Sequence, residues 1–326
     1  MTASQLLSHL RELGVEVTRQ GDRLRFNGPV GAVTPALRAE LAARKAELLR
    51  FLGKLEHRGP SDAGRLVAMQ PRGTKPPVVF IHPVGGNVFC YTELARLLRP
   101  DRPFYALSAR GFDGVEPPSK DLASMASDYI ADLRHLLDQG STVLLGGWSM
   151  GGVVAFEMAC QLSAQGHEAS PLLLLESYVP RREERTKQQL VELFSADLGL
   201  QLRALDIDED ALFDDNFELR MDYLLEKVKQ ADIPAADLTI ERLHRRYQVF
   251  KANLEASDSY APRPYRGRIE LLRCGRDPSD GESVPDWNEL AERVTVHAVP
   301  GNHFTFLREP YVSDVAEVLQ GCIDAT

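Results

Sequence analysis

Thr142-Val143-Leu144-Leu145-Gly146-Gly147-Trp148-Ser149-Met150-Gly151-Gly152-Val153-Val154 is the stretch on which the fold of this 326-residue chain turns. It opens as an apolar run, which reads as a buried strand. The chain then bends sharply through Gly147-Trp148-Ser149-Met150-Gly151. Beyond the bend Val153, Phe156 and Cys160 recur at helical spacing, and Gly166 supplies a stop. A serine at the apex of such a strand–turn–helix takes strained backbone angles. Its flanking positions must be glycine, because any Cβ there would strike the neighbouring strand or helix. Ser149 is therefore the candidate nucleophile, standing clear of the sheet above the start of a helix whose dipole favours a developing anion.

Working outward, Leu66 to Gln70, Val78 to Ile81, Phe104 to Ser108, Leu172 to Leu175, Ile269 to Cys274 and Val294 to His297 read as strands. Helices alternate with them, Asp121 to Gly140 among them with Met125, Tyr129, Leu133 and Leu136 on one face. The alternation means an α/β body with a largely parallel sheet covered on both faces. Between Glu176 and Ile269 no strand is convincing, and so long a stretch cannot be a bare loop. Val191, Phe194 and Leu198 share one helical face. Phe217, Met221, Leu224, Leu225 and Val228 share a second; Leu243, Tyr247, Phe250 and Leu254 share a third. An insertion there lies over the carboxyl ends of the sheet, so residues 181–262 read as a lid whose apolar faces mostly pack on one another.

The strand Val78–Ile81 runs straight into His82-Pro83-Val84-Gly85-Gly86. A glycine-containing turn at that place can aim backbone N–H groups at a developing oxyanion, with the residue after the nucleophile as the second donor. Those donors are Val84 and Met150. His82 reads as structural. Of the eight histidines, His303 stands apart. It sits in Val299-Pro300-Gly301-Asn302-His303-Phe304, after the last strand and before a terminal helix from Val312 to Leu319, where the order serine, acid, histidine expects its base. The acid that fixes the base's tautomer has two candidates. Glu176 ends the strand after the elbow helix and is preferred; Asp277, with Asp280 nearby, follows the next strand.

Composition is that of an ordinary globular protein, with 44% apolar and 26% charged residues. No apolar run approaches the roughly 20 residues that span a bilayer, and no secretion signal is expected at the N-terminus. Cys90, Cys160, Cys274 and Cys322 are widely spaced and read as free thiols, so a cytoplasmic protein is expected. A net charge of −9 argues against nucleic acid as a partner. The charge is uneven. Residues 1–60 carry ten basic and six acidic side chains, a net +4, which leaves −13 for the rest.

That basic front reads as a separate module over residues 1–56, joined through a polar linker at 57–64 to a body at 65–326. Thr2 and Gln5 suggest a capping box ahead of Leu6, Leu7, Leu10 and Leu13, and Gly14 ends that helix. Val15, Val17, Leu24 and Phe26 flank Gln20-Gly21-Asp22 as a hairpin. Thr34-Pro35 opens a second helix with Leu37, Leu41, Leu48 and Leu52 on its face. So small a unit gains from dimerising, and its open hairpin edge invites an added strand. Arg19, Arg23 and Arg25, on or beside that edge, read either as a solvated face or as a basic landing strip for an acidic peptide.

Residues 3–53, by their helix–hairpin–helix order, Leu-Leu-x-x-Leu, Gly14-Val15, and Lys45 before Leu48-Leu49, resemble the TubC type of docking domain. The resemblance implies a homodimer that binds the C-terminal tail of an upstream synthetase subunit. Residues 64–322 resemble a thioesterase domain of nonribosomal peptide synthetases. Val79-Phe80-Ile81-His82-Pro83-x-Gly85-Gly86, Gly147-Trp148-Ser149-Met150-Gly151-Gly152-x-Val154-Ala155-Phe156-Glu157, Leu173-Leu174-Leu175-Glu176-Ser177 and Gly301-Asn302-His303-Phe304 carry the match. It implies an α/β-hydrolase fold and a serine acyl-enzyme loaded from the phosphopantetheine arm of a carrier protein, with no metal or redox cofactor of its own. Glu176 stands where that family usually has Asp, and Asp277 matches the acid position of editing thioesterases. The expected function is release of an acyl or peptidyl chain in trans, by hydrolysis, cyclisation or transfer. The alternatives are an editing thioesterase that clears stalled carriers, a small-molecule esterase, and a non-catalytic docking adaptor.

Overall fold

The computed structural model describes residues 65–137, 142–167, 169, 171–181, 185–198, 220–230, 239–275 and 287–325. In the front part it describes 16–20, 23–27 and single positions between 34 and 48. Contacts divide the chain into two units, Met1–Gly64 and Arg65–Thr326. In the first, β1 (Glu16–Gln20) pairs antiparallel with β2 (Arg23–Asn27), with Val17 opposite Phe26 and Arg19 opposite Leu24. This is the hairpin expected from the alternation about Gly21-Asp22. Thr34 caps the following helix through its Oγ1, which accepts from Leu37 N at 3.3 Å. Leu41 and Leu48 of that helix are buried. The first helix expected at Gln5–Leu13, the linker at 57–64 and the Leu52 position lie outside the described residues.

Among the described residues the second unit holds seven strands: β3 (Leu66–Gln70), β4 (Val78–Ile81), β5 (Phe104–Leu107), β6 (Leu144–Trp148), β7 (Leu172–Leu175), β8 (Tyr265–Cys274) and β9 (Ala291–Val299). Their order across the sheet is β3-β5-β4-β6-β7-β8-β9. Of these seven strands only β3 runs antiparallel to its neighbour. The order runs one way from β4 to β5 and the other way from β6 onward. The carboxyl ends of β4 and β6 therefore flank the crevice where open α/β sheets place their ligands. β4 and β7 are buried at every position, as expected of strands covered on both faces. β8 and β9 start earlier than their apolar runs suggest. Their first residues pair only with each other at the sheet's edge, where Arg266, Arg268, Glu292 and Arg293 are exposed.

The helices, in chain order, are α1 (Thr92–Leu97), α2 (Leu122–Asp132), α3 (Arg134–Leu137), α4 (Met150–Ala164), α5 (Lys187–Asp197), α6 (Met221–Gln230), α7 (Ile240–Asp258) and α8 (Val312–Asp324). Two hydrophobic layers sandwich the sheet. One joins Met125, Tyr129, Val154, Phe156 and Trp287; the other joins Phe104, Tyr91, Phe306, Val315 and Leu319. The helix expected over 121–140 is divided into α2 and α3 at Leu133, where the N–H is shared between the carbonyls of Tyr129 and Ile130. The lid helices α5, α6 and α7 have a core of their own. Val191, Phe194, Leu224, Leu225, Leu243, Tyr247 and Phe250 pack together, as their spacing requires. Asp121, Thr186 and Thr239 cap α2, α5 and α7, each accepting from the amide three residues on. Among the described residues no helix is long and apolar enough to cross a membrane.

Candidate functional site

Ser149 joins β6 to α4 with φ 56° and ψ −125°. Its amide is tied to the Leu175 carbonyl at 2.9 Å, which fixes the turn against β7. A Cβ at Gly147 would run into the backbone of Gly151, and one at Gly151 would run into the Ile81 carbonyl. The two glycines let strand, helix and the neighbouring β4 approach one another with only the serine side chain projecting. Ser149 and Glu176 are the described non-glycine residues with positive φ. Such strain costs on the order of 1–3 kcal/mol and collects at functional sites.

Tyr91, buried and not singled out by the sequence, braces this turn. Its hydroxyl donates to Ile81 O at 2.7 Å and accepts from Trp148 N at 2.8 Å, joining the ends of β4 and β6. His82, directly after β4, has a structural task that the sequence left unspecified. His82 Nδ1 lies 2.7 Å from the Pro83 carbonyl, and Nε2 lies 2.7 Å from Tyr129 Oη. A carbonyl can only accept, so Nδ1 carries the proton and Nε2 accepts from the tyrosine. Burial lowers the His82 pKa to about 4, the Pro83 bond opposing it, so the ring is neutral. Pro83 O also accepts from Gly86 N at 2.9 Å. With that carbonyl held, the planar trans peptide turns the Val84 N–H the opposite way. From the lid, Asn253 Nδ2 donates to Val84 O at 2.8 Å and fixes the next peptide too.

At the other end of the site, His303 Nδ1 lies 3.3 Å from Glu176 Oε2. Glu176 is buried, yet its pKa is lowered. Burial alone would raise it, but His303, the Cys274 amide at 2.7 Å on Oε1 and the Tyr178 hydroxyl at 3.1 Å on Oε2 together outweigh that. Glu176 sits on left-handed backbone, with φ 44°, and the last residue of β8 supplies the Cys274 donor. His303 stands on the loop after β9, where Gly301 has φ 96° and Asn302 Oδ1 accepts from Phe304 N at 3.0 Å. Trp148, Tyr178 and Phe304 surround its ring at centroid distances of 5.5, 6.1 and 5.0 Å. Asp277 and Asp280 lie outside the described residues.

Ser149, Val84 and His303 line one cavity of about 500 Å³. Lid residues from α5 and α7 form its roof, among them Leu193, Asp197 and Arg246. Phe89 and Phe304, both large and exposed, stand at it as well. Glu157, from the Ser-containing motif, takes no place in the cavity. It is buried on α4, where Oε2 accepts from Tyr260 Oη at 2.7 Å and Oε1 from Gln161 and Arg263. Tyr260 follows α7, so this network fastens the end of the lid to the elbow helix. The four cysteines are free. Burial raises all four thiol pKa values, to about 11 for Cys160 and Cys322 and about 12 for Cys274, which leaves them unreactive near neutrality. Of the sequence-derived site residues, Ser149, His303, Glu176, Val84 and Met150 belong to this one region. For Arg19, Arg23 and Arg25 the structure describes the strand backbone alone, with Arg25 opposite Thr18 and Arg23 opposite Gln20.

A seven-stranded, mainly parallel sheet with a serine elbow, a late histidine loop and a helical lid defines an α/β-hydrolase. The chain belongs to the thioesterase domain family, which matches residues 76–322, and residues 4–53 match the TubC N-terminal docking domain. It is similar to a dimodular nonribosomal peptide synthase of Bacillus subtilis (strain 168), 29% identical over 297 residues, and to the nonribosomal peptide synthetase btyA of Aspergillus terreus, 26% identical over 295. These alignments cover 90% and 82% of this chain but 11% and 30% of those much longer proteins. Among solved structures, the NocB thioesterase domain in covalent complex with a fluorophosphonate nocardicin G analog is 27% identical. Its TM-score is 0.59, with 79% of this chain and 99% of that one covered. A Vlm2 thioesterase domain bound with a dodecadepsipeptide is 26% identical, with TM-score 0.60 and coverage of 80% and 98%.

Proposed function

We propose that this protein is a serine thioesterase of a nonribosomal peptide or polyketide assembly line. It takes an acyl or peptidyl chain from a carrier protein onto Ser149 and releases it. The observation that carries the reading is the strained Ser149 elbow sharing a cavity with a His303 whose Nδ1 faces a buried carboxylate. Glu176 holds Nδ1–H, which leaves Nε2 for the serine proton. Ser149 Oγ attacks the thioester carbonyl while His303 accepts that proton. The Val84 and Met150 amides receive the oxyanion, each contributing about 3 kcal/mol. As the C–S bond breaks, the imidazolium returns the proton to the departing pantetheine thiolate. A second nucleophile, deprotonated by the same histidine, then attacks the acyl-serine. Water yields an acid, a group within the chain a ring, and an external amine or alcohol an amide or ester.

The front module supports recruitment in trans. Its hairpin edge and Arg19, Arg23 and Arg25 suit the acidic C-terminal tail of an upstream subunit, with the module paired as a homodimer. The free thiols suit a cytoplasmic location. Incubation with a loaded carrier and mass spectrometry of the products tests the reading. Release of free or cyclised chain that disappears in Ser149→Ala is expected; release undiminished in that variant would refute it.

A further inference from the structure

Asp197, the last residue of α5, faces the cavity above Ser149. Its position is unfavourable for an acid. The residue is only partly exposed, and its Oδ2 is buried without a hydrogen-bond partner. A carboxylate at a helix C-terminus also meets the negative end of the backbone dipole. Burial raises its pKa to about 6, against the pull of Arg246. A native structure rarely leaves such a group unpaired unless something outside the chain pairs with it.

Its surroundings say what that partner is. Both carboxyl oxygens lie against Gly85, where any added Cβ would collide with them. The acid therefore abuts the loop whose Val84 amide is assigned to the oxyanion. With only the pull of Arg246 to offset it, a negative charge there would oppose the charge that develops on the substrate carbonyl oxygen. A cation carried by the substrate removes the conflict and gives the carboxylate a partner. Arg246, from α7, lines the same cavity, and its Nε also has no partner. The roof thus presents an acceptor and a donor side by side, which suits a polar chain and not a fatty one.

Resting on the assignment of Ser149 as the acyl acceptor, we propose that Asp197 receives a protonated amine of the bound acyl chain, close to its reacting carbonyl. Arg246 takes a carbonyl oxygen of the same chain. Thioesters whose carbonyl-bearing residue keeps a free amine are then preferred over N-blocked or simple fatty ones. The test pairs 2- and 3-aminoacyl N-acetylcysteamine thioesters with their N-acetyl counterparts, with background hydrolysis taken from Ser149→Ala. The wild type should favour the free amine in kcat/KM by at least about tenfold. The ratio should fall toward one in Asp197→Asn, which keeps the side chain's shape. A ratio near one in the wild type, or the same ratio in both proteins, overturns the proposal. So does Asp197-dependent aminolysis of an N-acetyl thioester by added amine, which would assign the charge to the acceptor and not to the chain. Fluorophosphonate labelling of the wild type, run in parallel, separates the two readings. Failure to label Ser149 defeats the nucleophile assignment itself, whereas labelling with no amine preference defeats the role of Asp197 alone.

Discussion

The floor of the cavity is made of strand ends, and its polar groups hold one another in place: Tyr91 between β4 and β6, His82 on the Pro83 carbonyl, Cys274 and Tyr178 on Glu176. The roof comes from α5 and α7 of a lid that packs mainly on itself, and it leaves Asp197 Oδ2 and Arg246 Nε buried without partners beside the cavity. A floor that is hydrogen-bonded within itself can be preorganised for one reaction on any chain. A roof with unpaired polar groups is incomplete until a particular chain enters. On the proposed function, chemistry and selectivity are carried by different parts of this molecule, and they should fail separately when altered.

The floor should fail most steeply. Ser149→Ala should lower kcat for carrier-bound thioester by about 10³-fold or more, since removing the nucleophile leaves only oxyanion and binding effects. Next comes the acid. Glu176→Gln should cost on the order of 10²–10⁴ in kcat, because the His303 tautomer is no longer fixed. Asp277→Ala should change kcat little. The reverse ranking in steady-state assays would transfer the role to Asp277.

A smaller effect separates structural support from chemistry within the floor. His82 is neutral in the folded protein, with its pKa lowered to about 4 from 6.5. As the pH falls below 6.5 the denatured chain binds the proton first, so stability is lost between pH 6.5 and about 4. The loss is at most about 3 kcal/mol. Denaturant midpoints across that window should fall in the wild type and fall less in His82→Gln. Parallel curves would remove His82 from the explanation. In the roof, Phe250→Ala should destabilise the lid core by about 3–5 kcal/mol. Protease cutting within 181–262 ahead of global unfolding would mark it as separable from the floor. The front module should show the mildest effect. Charge reversal at Arg19, Arg23 and Arg25 should weaken binding of an acidic upstream tail by roughly 0.2–1 kcal/mol per exposed pair, read by calorimetry; unchanged affinity would move the contact elsewhere.

What the sequence made legible follows the same division. The apolar runs that became β4 and β7 needed no tertiary information, because a strand buried on both faces has few other residues to choose from. Gly147, Ser149 and Gly151 identify themselves by spacing, and His303 by its place after the last strand. Periodicity also assigned the lid helices, since Phe194, Tyr247 and Phe250 recur as one face must. It could not say what a polar residue beside that face would meet. Asp197 lies between Phe194 and Leu198 and looks like any solvated helix end; only the fold brings it against Gly85. Tyr91 and Glu157 escaped for the same reason. Their hydroxyl and carboxylate partners lie on Ile81, Trp148, Tyr260 and Arg263, and no local pattern links those positions. The positive φ of Glu176 was likewise invisible, as nothing in its side chain favours that conformation.

The central claim is that the Ser149 oxygen takes over the chain from a carrier. Intact-protein mass spectrometry of the wild type, quenched at low pH within the first turnover of an acyl-loaded carrier, measures this directly. The account predicts a mass gain equal to the acyl group, mapped to Ser149 and absent in Ser149→Ala. Product formed with no such adduct under any quench, or an adduct that persists in Ser149→Ala, would contradict it.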